Sequence, residues 1–359
     1  KRRPYLVLDG YRGLREALGP TSTQQLLSGL TSQMPFYDAS VIVTAESDPH
    51  DPENFAEVTS ADTLIALFHT HLEARTIRTL EVMKVRGKSY LRGLHGFDIT
   101  SDGIVVYPRL SACLPATAPA PTARRYSFDL PEFDAMLGGG LPEFSSTMIM
   151  GDTGTGKSTL ALQYIMAGAE QGERGLILAL HDERVDVLQK AADLQIDLAT
   201  HVESGRVEIL EITPVEIDPY ALAWRIREVV ERHRPQRFVI DSVSDLEAAP
   251  GVQQSPRDYL FALNLYLRRA GVTTVMTYES GSMNQFDTPG QSLVRMPSAQ
   301  NRILLQRVIR GDRFYRTCSV VHMQRSDHDT RIREFVIGPG GMTFRQLDDE
   351  GEDIAAEIA

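Results

Sequence analysis

The sequence has few cysteines, no long apolar run and no excess of positive charge. Its two cysteines, Cys113 and Cys318, lie far apart. This excludes a disulfide scaffold and a cysteine-based zinc site, and it fits a reducing cytosol. No apolar run approaches the ~20 residues that a membrane helix needs, and the basic start at residues 1–3 lacks the apolar core of a signal peptide. The sequence therefore predicts a cytoplasmic protein without a membrane span.

Acidic residues outnumber basic ones. Asp and Glu total 48 and Lys and Arg total 37, which gives a net charge of −11. This balance argues against a protein that coats nucleic acid, because phosphate backbones attract basic surfaces. The composition, with 42% hydrophobic and 24% charged residues, is that of a globular protein. A length of 359 residues predicts two domains.

A stretch rich in Pro, Ala and Thr divides the chain. Residues 111–125 read SACLPATAPAPTARR, which is typical of an extended linker. We expect a front part at 1–110, a back part at 126–347 and an acidic, solvated tail at 348–359 that could bind a protein partner.

The two parts resemble copies of one unit. Five blocks match at an offset of roughly 235 residues, among them TLEVMKVRG at 79–87 with TCSVVHMQR at 317–325. At this offset the front part corresponds to the second half of the back part. We therefore expect the other half of the front copy upstream of residue 1.

Apolar and amphipathic stretches alternate in the back part. This pattern predicts an α/β fold, a mainly parallel sheet with helices on both faces, and closely spaced antiparallel strands after residue 299. The predicted strands are 147–150, 175–180, 206–210, 238–241 and 273–278, and the predicted helices are 160–171, 185–194, 221–234 and 257–270.

A phosphate-binding loop is the strongest motif. Residues 151–158 read GDTGTGKS, between an apolar strand and an amphipathic helix. Glycines let successive backbone N–H groups point at phosphates. Lys157 would contact the β- and γ-phosphates, and Ser158 would bind Mg²⁺. The expected ATP-binding residues are Gly151, Asp152, Thr153, Gly154, Thr155, Gly156, Lys157, Ser158 and Thr159.

Two further strand ends supply acidic residues. Asp241 ends the strand FVID and is expected to orient Mg²⁺. His181, Asp182 and Glu183 follow another strand, where a carboxylate could activate water beside the γ-phosphate. We predict Asp182 in this role, with His181 and Glu183 as further catalytic candidates. The alternative is that these acids only begin the next helix, where its dipole favours them.

These motifs together resemble the KaiC family of circadian-clock ATPases and autokinases, within the RecA-like superfamily. The phosphate loop, FVIDS at 238–242, TLEVMKVRG at 79–87 and IREF at 332–335 carry the resemblance. It implies two RecA-like lobes, a hexameric ring and ATP between neighbouring subunits. By position, Lys84 and Arg86 would reach a neighbour's nucleotide; without the resemblance they would read as a solvated strand edge.

The sequence departs from the family pattern at three places. His181 and Asp182 stand for two glutamates, His322-Met323-Gln324 for a Lys-Met-Arg motif, and Met296-Pro297 for a phosphorylated Ser-Thr pair, with Ser298 as the nearest hydroxyl. Arg325 follows one residue later, on a predicted strand that points it to the opposite face. These changes predict slow hydrolysis in the back lobe and argue against a phosphorylation cycle.

The sequence therefore predicts an ATP-hydrolysing ring protein with a signalling role. An ATP-gated scaffold with little turnover and a serine/threonine autokinase remain alternatives. A recombinase or helicase is disfavoured because the loop at 280–297 contains one Arg and no Lys.

Overall fold

The computed structural model describes residues 4–46, 48, 61–72, 75–120, 122–212, 218–248, 256–279 and 299–345. It divides into two compact units, one of Lys1–Thr70 with Arg78–Val106 and one of His71–Ile77 with Tyr107–Ala359. The loop at 280–297, Ser298 and the acidic tail at 348–359 lie outside the described residues.

The front unit contains two small sheets. Its elements are β1 (Tyr5–Leu8), α1 (Tyr11–Leu18), α2 (Pro20–Gln33), the 3₁₀ turn Met34–Tyr37, β2 (Ser40–Val43), β3 (Thr63–Leu72), β4 (Arg75–Val85), β5 (Leu94–Thr100) and β6 (Gly103–Tyr107). Strands β1 and β2 pair in parallel. Strands β3 to β6 follow one another in a second sheet.

The back unit is built on one large sheet. Its strands are β7 (Arg125–Tyr126), β8 (Leu141–Pro142), β9 (Ser146–Gly151), β10 (Gly175–Ala179), β11 (Val207–Glu211), β12 (Arg237–Asp241), β13 (Thr273–Glu279), β14 (Asn301–Arg310), β15 (Arg313–His322), β16 (Arg333–Gly338) and β17 (Gly341–Phe344). Nine of them form a sheet in the order β11-β10-β12-β13-β9-β14-β15-β16-β17. The first six are parallel, and β14 to β17 form an antiparallel meander.

Helices cover both faces of this sheet. They are α3 (Pro131–Met136), α4 (Lys157–Glu170), α5 (Arg184–Asp193), α6 (Leu198–Glu203), α7 (Pro219–His233), α8 (Val243–Ala248) and α9 (Pro256–Arg269), with a 3₁₀ turn at Leu110–Ala112. Alternate residues of a strand face opposite sides, so Ile149 packs in one core cluster and Met148 in the other. Helix α4 is buried from Leu160 to Ala169 and lies deepest in the fold.

The predicted α/β fold is confirmed. All five predicted parallel strands and all four predicted helices are present, and the antiparallel extension begins at Asn301. One detail is wrong: β15 ends at His322, and Arg325 lies in a turn with φ 56° rather than on a strand. Within the described ranges, no helix combines the length and apolarity needed to cross a membrane.

Candidate functional site

The phosphate-binding loop follows the central strand of the large sheet. Strand β9 lies between β13 and β14 and is parallel to both. The chain then turns through residues 152–156 into α4, which begins at Lys157. Since parallel strands end at the same edge, the loop lies beside the ends of β10, β12 and β13, where nucleotides bind in open α/β sheets.

Two loop positions require glycine. A Cβ atom at Gly151 would collide with the carbonyl oxygen of Leu305. Gly156 has φ 104°, and a Cβ there would lie 2.8 Å from Cδ1 of Ile337. Side chains are therefore excluded at these two positions by the strands that pack against the loop.

Lys157 is folded onto the loop. Its ammonium donates hydrogen bonds to the carbonyls of Gly151 at 2.8 Å and Asp152 at 2.9 Å. Burial lowers the pKa of Lys157, while the carboxylates of Glu279, Asp241 and Asp152 act in the opposite direction. The side-chain atom Oδ1 of Asp152 is buried without a hydrogen-bond partner.

A cavity of about 570 Å³ opens beside this loop. Most of the predicted site residues line it together: Thr153, Gly154, Gly156, Lys157, Ser158, Thr159, His181, Asp182 and Asp241. Ser242, Asp245 and Glu279, which the sequence reasoning missed, line it as well. Glu279 directly follows the predicted strand 273–278 and is the last residue of β13. The rule that ligands bind at strand ends would therefore have found it.

Asp241 is fixed at the end of β12. Its Oδ1 accepts a hydrogen bond of 2.5 Å from the hydroxyl of Thr277. The following Ser242 donates to Asp245 at 2.6 Å. This hydrogen bonding orients two carboxylates at the cavity wall, which Lys157 also lines.

The three residues after β10 have different surroundings. Asp182 forms an ion pair with Lys190, and both line the cavity together with His181. Glu183 is the N-cap of α5, in a capping box whose partner Asp186 accepts from the Glu183 N–H at 3.2 Å. Glu183 thus takes the helix-start position that the sequence offered as the alternative, and it does not line the cavity.

The front unit holds the other predicted contacts. Lys84 lies on β4, and Arg86 follows that strand. The Arg86 guanidinium pairs with Asp62 at 3.2 Å, with both side chains largely exposed. In the back unit, Met323 is buried, and the Gln324 amide accepts from Gln300 at 2.6 Å.

Comparison with known proteins identifies similar chains. The family model for the KaiC ATPase matches residues 2–111 and 128–349. The circadian clock oscillator protein KaiC of Picosynechococcus sp. is 27% identical over 313 residues, which is 85% of this chain and 59% of that protein. The KaiC of Parathermosynechococcus lividus is 27% identical over 88% of this chain and 58% of its own length. That of Rippkaea orientalis is 29% identical over 79% and 54%. The chain thus spans little more than half the length of these relatives.

Proposed function

The chain belongs to the KaiC family of ATPases, and we propose that its back unit binds ATP with Mg²⁺ and hydrolyses it slowly. The observation that carries this proposal is the shared cavity of Lys157, Ser158 and Asp241 at the ends of parallel strands. Glycine at 151 and 156 lets the loop backbone pack closely against Leu305 and Ile337, which supports phosphate binding because a backbone curved in this way can point its N–H groups at an anion.

The residues fit a magnesium nucleotide. The phosphates would lie against the loop amides and Lys157, and the ion against Ser158 and Asp241. The described part of the chain has no cluster of three or more metal-binding side chains. Mg²⁺ in nucleotide sites needs few protein ligands, because it keeps water and binds the phosphates themselves. The bound ion would neutralise the charge that develops on the transferred phosphoryl group.

Asp182 is the proposed base or water-orienting group. It lines the cavity, whereas Glu183 caps a helix. Its ion pair with Lys190 restrains the side chain. This restraint supports slow turnover. His181 lines the same wall and could contact the nucleotide.

An ATP-gated scaffold with little turnover is the second candidate. The Asp182–Lys190 pair favours it, because the carboxylate is already engaged. A serine/threonine autokinase is the third candidate. The positions Met296 and Pro297, which argue against it, lie outside the described residues.

We also propose that the chain forms a ring, a hexamer by the family resemblance, with a regulatory or signalling role. Lys84 and Arg86 would then face the nucleotide of a neighbouring copy. The Arg86–Asp62 pair is exposed and therefore weak, so the arginine could exchange Asp62 for a phosphate at little cost. The signalling partner and the cytoplasmic location stay predictions from the sequence.

ATP binding is tested by titrating a non-hydrolysable ATP analogue and Mg²⁺ into the parent chain and Lys157→Ala. Loss of the ammonium should weaken binding more than tenfold, or about 1.4 kcal/mol or more, because a charged contact to the phosphates disappears. Equal affinities in the two proteins would contradict the proposed site.

Hydrolysis is tested by steady-state release of phosphate from ATP. Asp182→Asn should lower the rate by about 10²–10⁴ while leaving the analogue's affinity within a few-fold, because a positioned base contributes this much to the rate. Lys157→Ala gives the background rate. A parent that binds ATP but releases phosphate no faster than Lys157→Ala would favour the scaffold.

A further inference from the structure

Thr153, near the tip of the phosphate loop, contacts both strands that flank β9. Its hydroxyl is bonded to the carboxylate of Glu279, the last residue of β13. Its carbonyl accepts a hydrogen bond of 3.0 Å from the guanidinium of Arg307 on β14. Since β13 and β14 lie on opposite sides of β9, the loop is fastened from both sides.

The two fastening residues differ in their position relative to the cavity. Glu279 lines it, together with Lys157 and Asp241. Arg307 does not line the cavity, and its Nη1 lies 3.9 Å from where a Cβ on Gly154 would be. Of the two charges that hold Thr153, only the carboxylate therefore lines the cavity.

Glu279 acts on the groups that a terminal phosphate would use. Among the charges near Lys157, its carboxylate has the largest effect in favour of the ammonium. It also accepts a hydrogen bond from the hydroxyl of Thr153, a residue that lines the same cavity. A nucleoside triphosphate at this loop would bring its terminal phosphate to the same cation, so two anions would compete for one site.

We propose that Glu279 is an internal competitor of the terminal phosphate, which lowers the affinity for ATP more than that for ADP, while Arg307 keeps the loop tip in place. This inference rests on the proposed ATP site. It makes Glu279 a residue that sets the preference between the two nucleotides. Asp241 and Asp245, the nearby carboxylates of the wall, are bonded to Thr277 and Ser242 instead of to the loop.

The test compares the dissociation constants of Mg²⁺–ADP and of a non-hydrolysable Mg²⁺–ATP analogue in four proteins: the parent, Glu279→Gln, Thr153→Val and Asp245→Asn. Glutamine can still accept the Thr153 hydrogen bond but carries no charge. Glu279→Gln should bind the ATP analogue about tenfold more tightly and ADP less than threefold more tightly. Thr153→Val keeps the charge and removes the hydroxyl, so it should change both affinities by similar factors.

Asp245→Asn is the matched control, because it removes one carboxylate from the same wall without altering the loop contact. It should leave the ratio of the two affinities within about twofold of the parent. The inference is overturned if Glu279→Gln leaves that ratio unchanged, or if it weakens the ATP analogue. The proposed function itself fails in a different way, if the parent binds neither nucleotide or if Lys157→Ala binds both as well as the parent does.

Discussion

One residue of the back unit, which does not line the cavity, is an arginine that is buried and held by several hydrogen bonds. Arg237 is 1% exposed, and its Nε donates to Glu173 at 2.5 Å. Its guanidinium also donates to the carbonyls of Ser127 at 2.6 Å and Tyr164 at 2.7 Å, and it lies over the Tyr164 ring at 4.7 Å. A buried charge is tolerated only when it is paired and hydrogen-bonded, and this arginine meets both conditions.

Removing the guanidinium of Arg237 should destabilise the folded protein. Arg237→Met would leave Glu173 buried with only the half-exposed Arg124 as its partner, and it would remove the side-chain donor to the carbonyl of Ser127. We expect the free energy of unfolding to fall by about 3–5 kcal/mol, because breaking a buried pair leaves an uncompensated charge. Urea unfolding measures this.

A matched surface change separates burial from charge. Arg313→Ala removes an arginine whose contact with Asp312 is 3.9 Å long and highly exposed, so we expect less than about 1 kcal/mol. Adding Glu173→Gln to Arg237→Met should recover part of the loss. If Arg237→Met and Arg313→Ala lower the free energy of unfolding by the same amount, the buried network adds no more stability than an exposed ion pair.

Site residues were predictable where a motif fixes both residue type and spacing. Most of the loop, namely Thr153, Gly154, Gly156, Lys157 and Ser158, lines the cavity together with the strand-ending Asp241, whereas Gly151, Asp152 and Thr155 do not line it. Glu279 was missed although it lies at a strand end, where the rule for ligand sites applies. Arg307 could not be found in this way, because its contact with Thr153 joins positions 154 residues apart that only the order of strands in the sheet brings together.

Elements were predictable where they are long and periodic. Helices α4, α5, α7 and α9 agree with the sequence within a few residues. The short helices α3, α6 and α8 were missed, because six residues are too few to show a helical period. Likewise, the turn at Arg325 depends on a positive φ angle that the residue type does not predict.

At the start of α5, a substitution can test whether Asp186 caps the helix or takes part in ATP hydrolysis. Asp186 accepts from the Glu183 N–H at 3.2 Å in the capping box. Asp186→Ala should lower the free energy of unfolding by about 1 kcal/mol, since one orphan donor at the helix start loses its partner. Phosphate release should stay at the parent rate, because Asp186 does not line the cavity. A large fall in turnover with unchanged stability would reverse this assignment.

At the scale of the whole molecule, the two parts share an order of elements. The front unit runs β1–α1–α2–β2 and then β3 to β6, and the back unit runs β12–α8–α9–β13 and then β14 to β17. The repeated sequence blocks predict this correspondence. In the back unit β9 joins β13 to β14, whereas among the described residues of the front unit no strand joins β2 to β3. The repeated blocks predict this difference too, because they match the front part only to the back part from β12 onward.

The exposed tip of the β14–β15 hairpin is one surface that a second copy could cover. Ile309 and Phe314 lie directly opposite each other on its two strands and are 67% and 73% exposed. Two exposed apolar side chains are compatible with a contact to a second copy, but they are smaller than the patches that mark an interaction site by themselves.

We therefore expect a closed ring to form when ATP binds. A head-to-tail interface closes if its rotation fits the subunit number, and nucleotide shared between neighbours adds binding energy to each interface. With saturating Mg²⁺ and a non-hydrolysable ATP analogue, the parent chain should sediment at about 240 kDa, which is six copies of a 39.9 kDa chain.

Lys157→Ala should prevent this assembly by removing the nucleotide. Arg86→Gln should bind the analogue normally but assemble at least tenfold less tightly, because the contact to a neighbour is lost and the Arg86–Asp62 pair lost with it is exposed and weak. A single species near 40 kDa at micromolar parent chain with bound analogue would refute the ring for this chain.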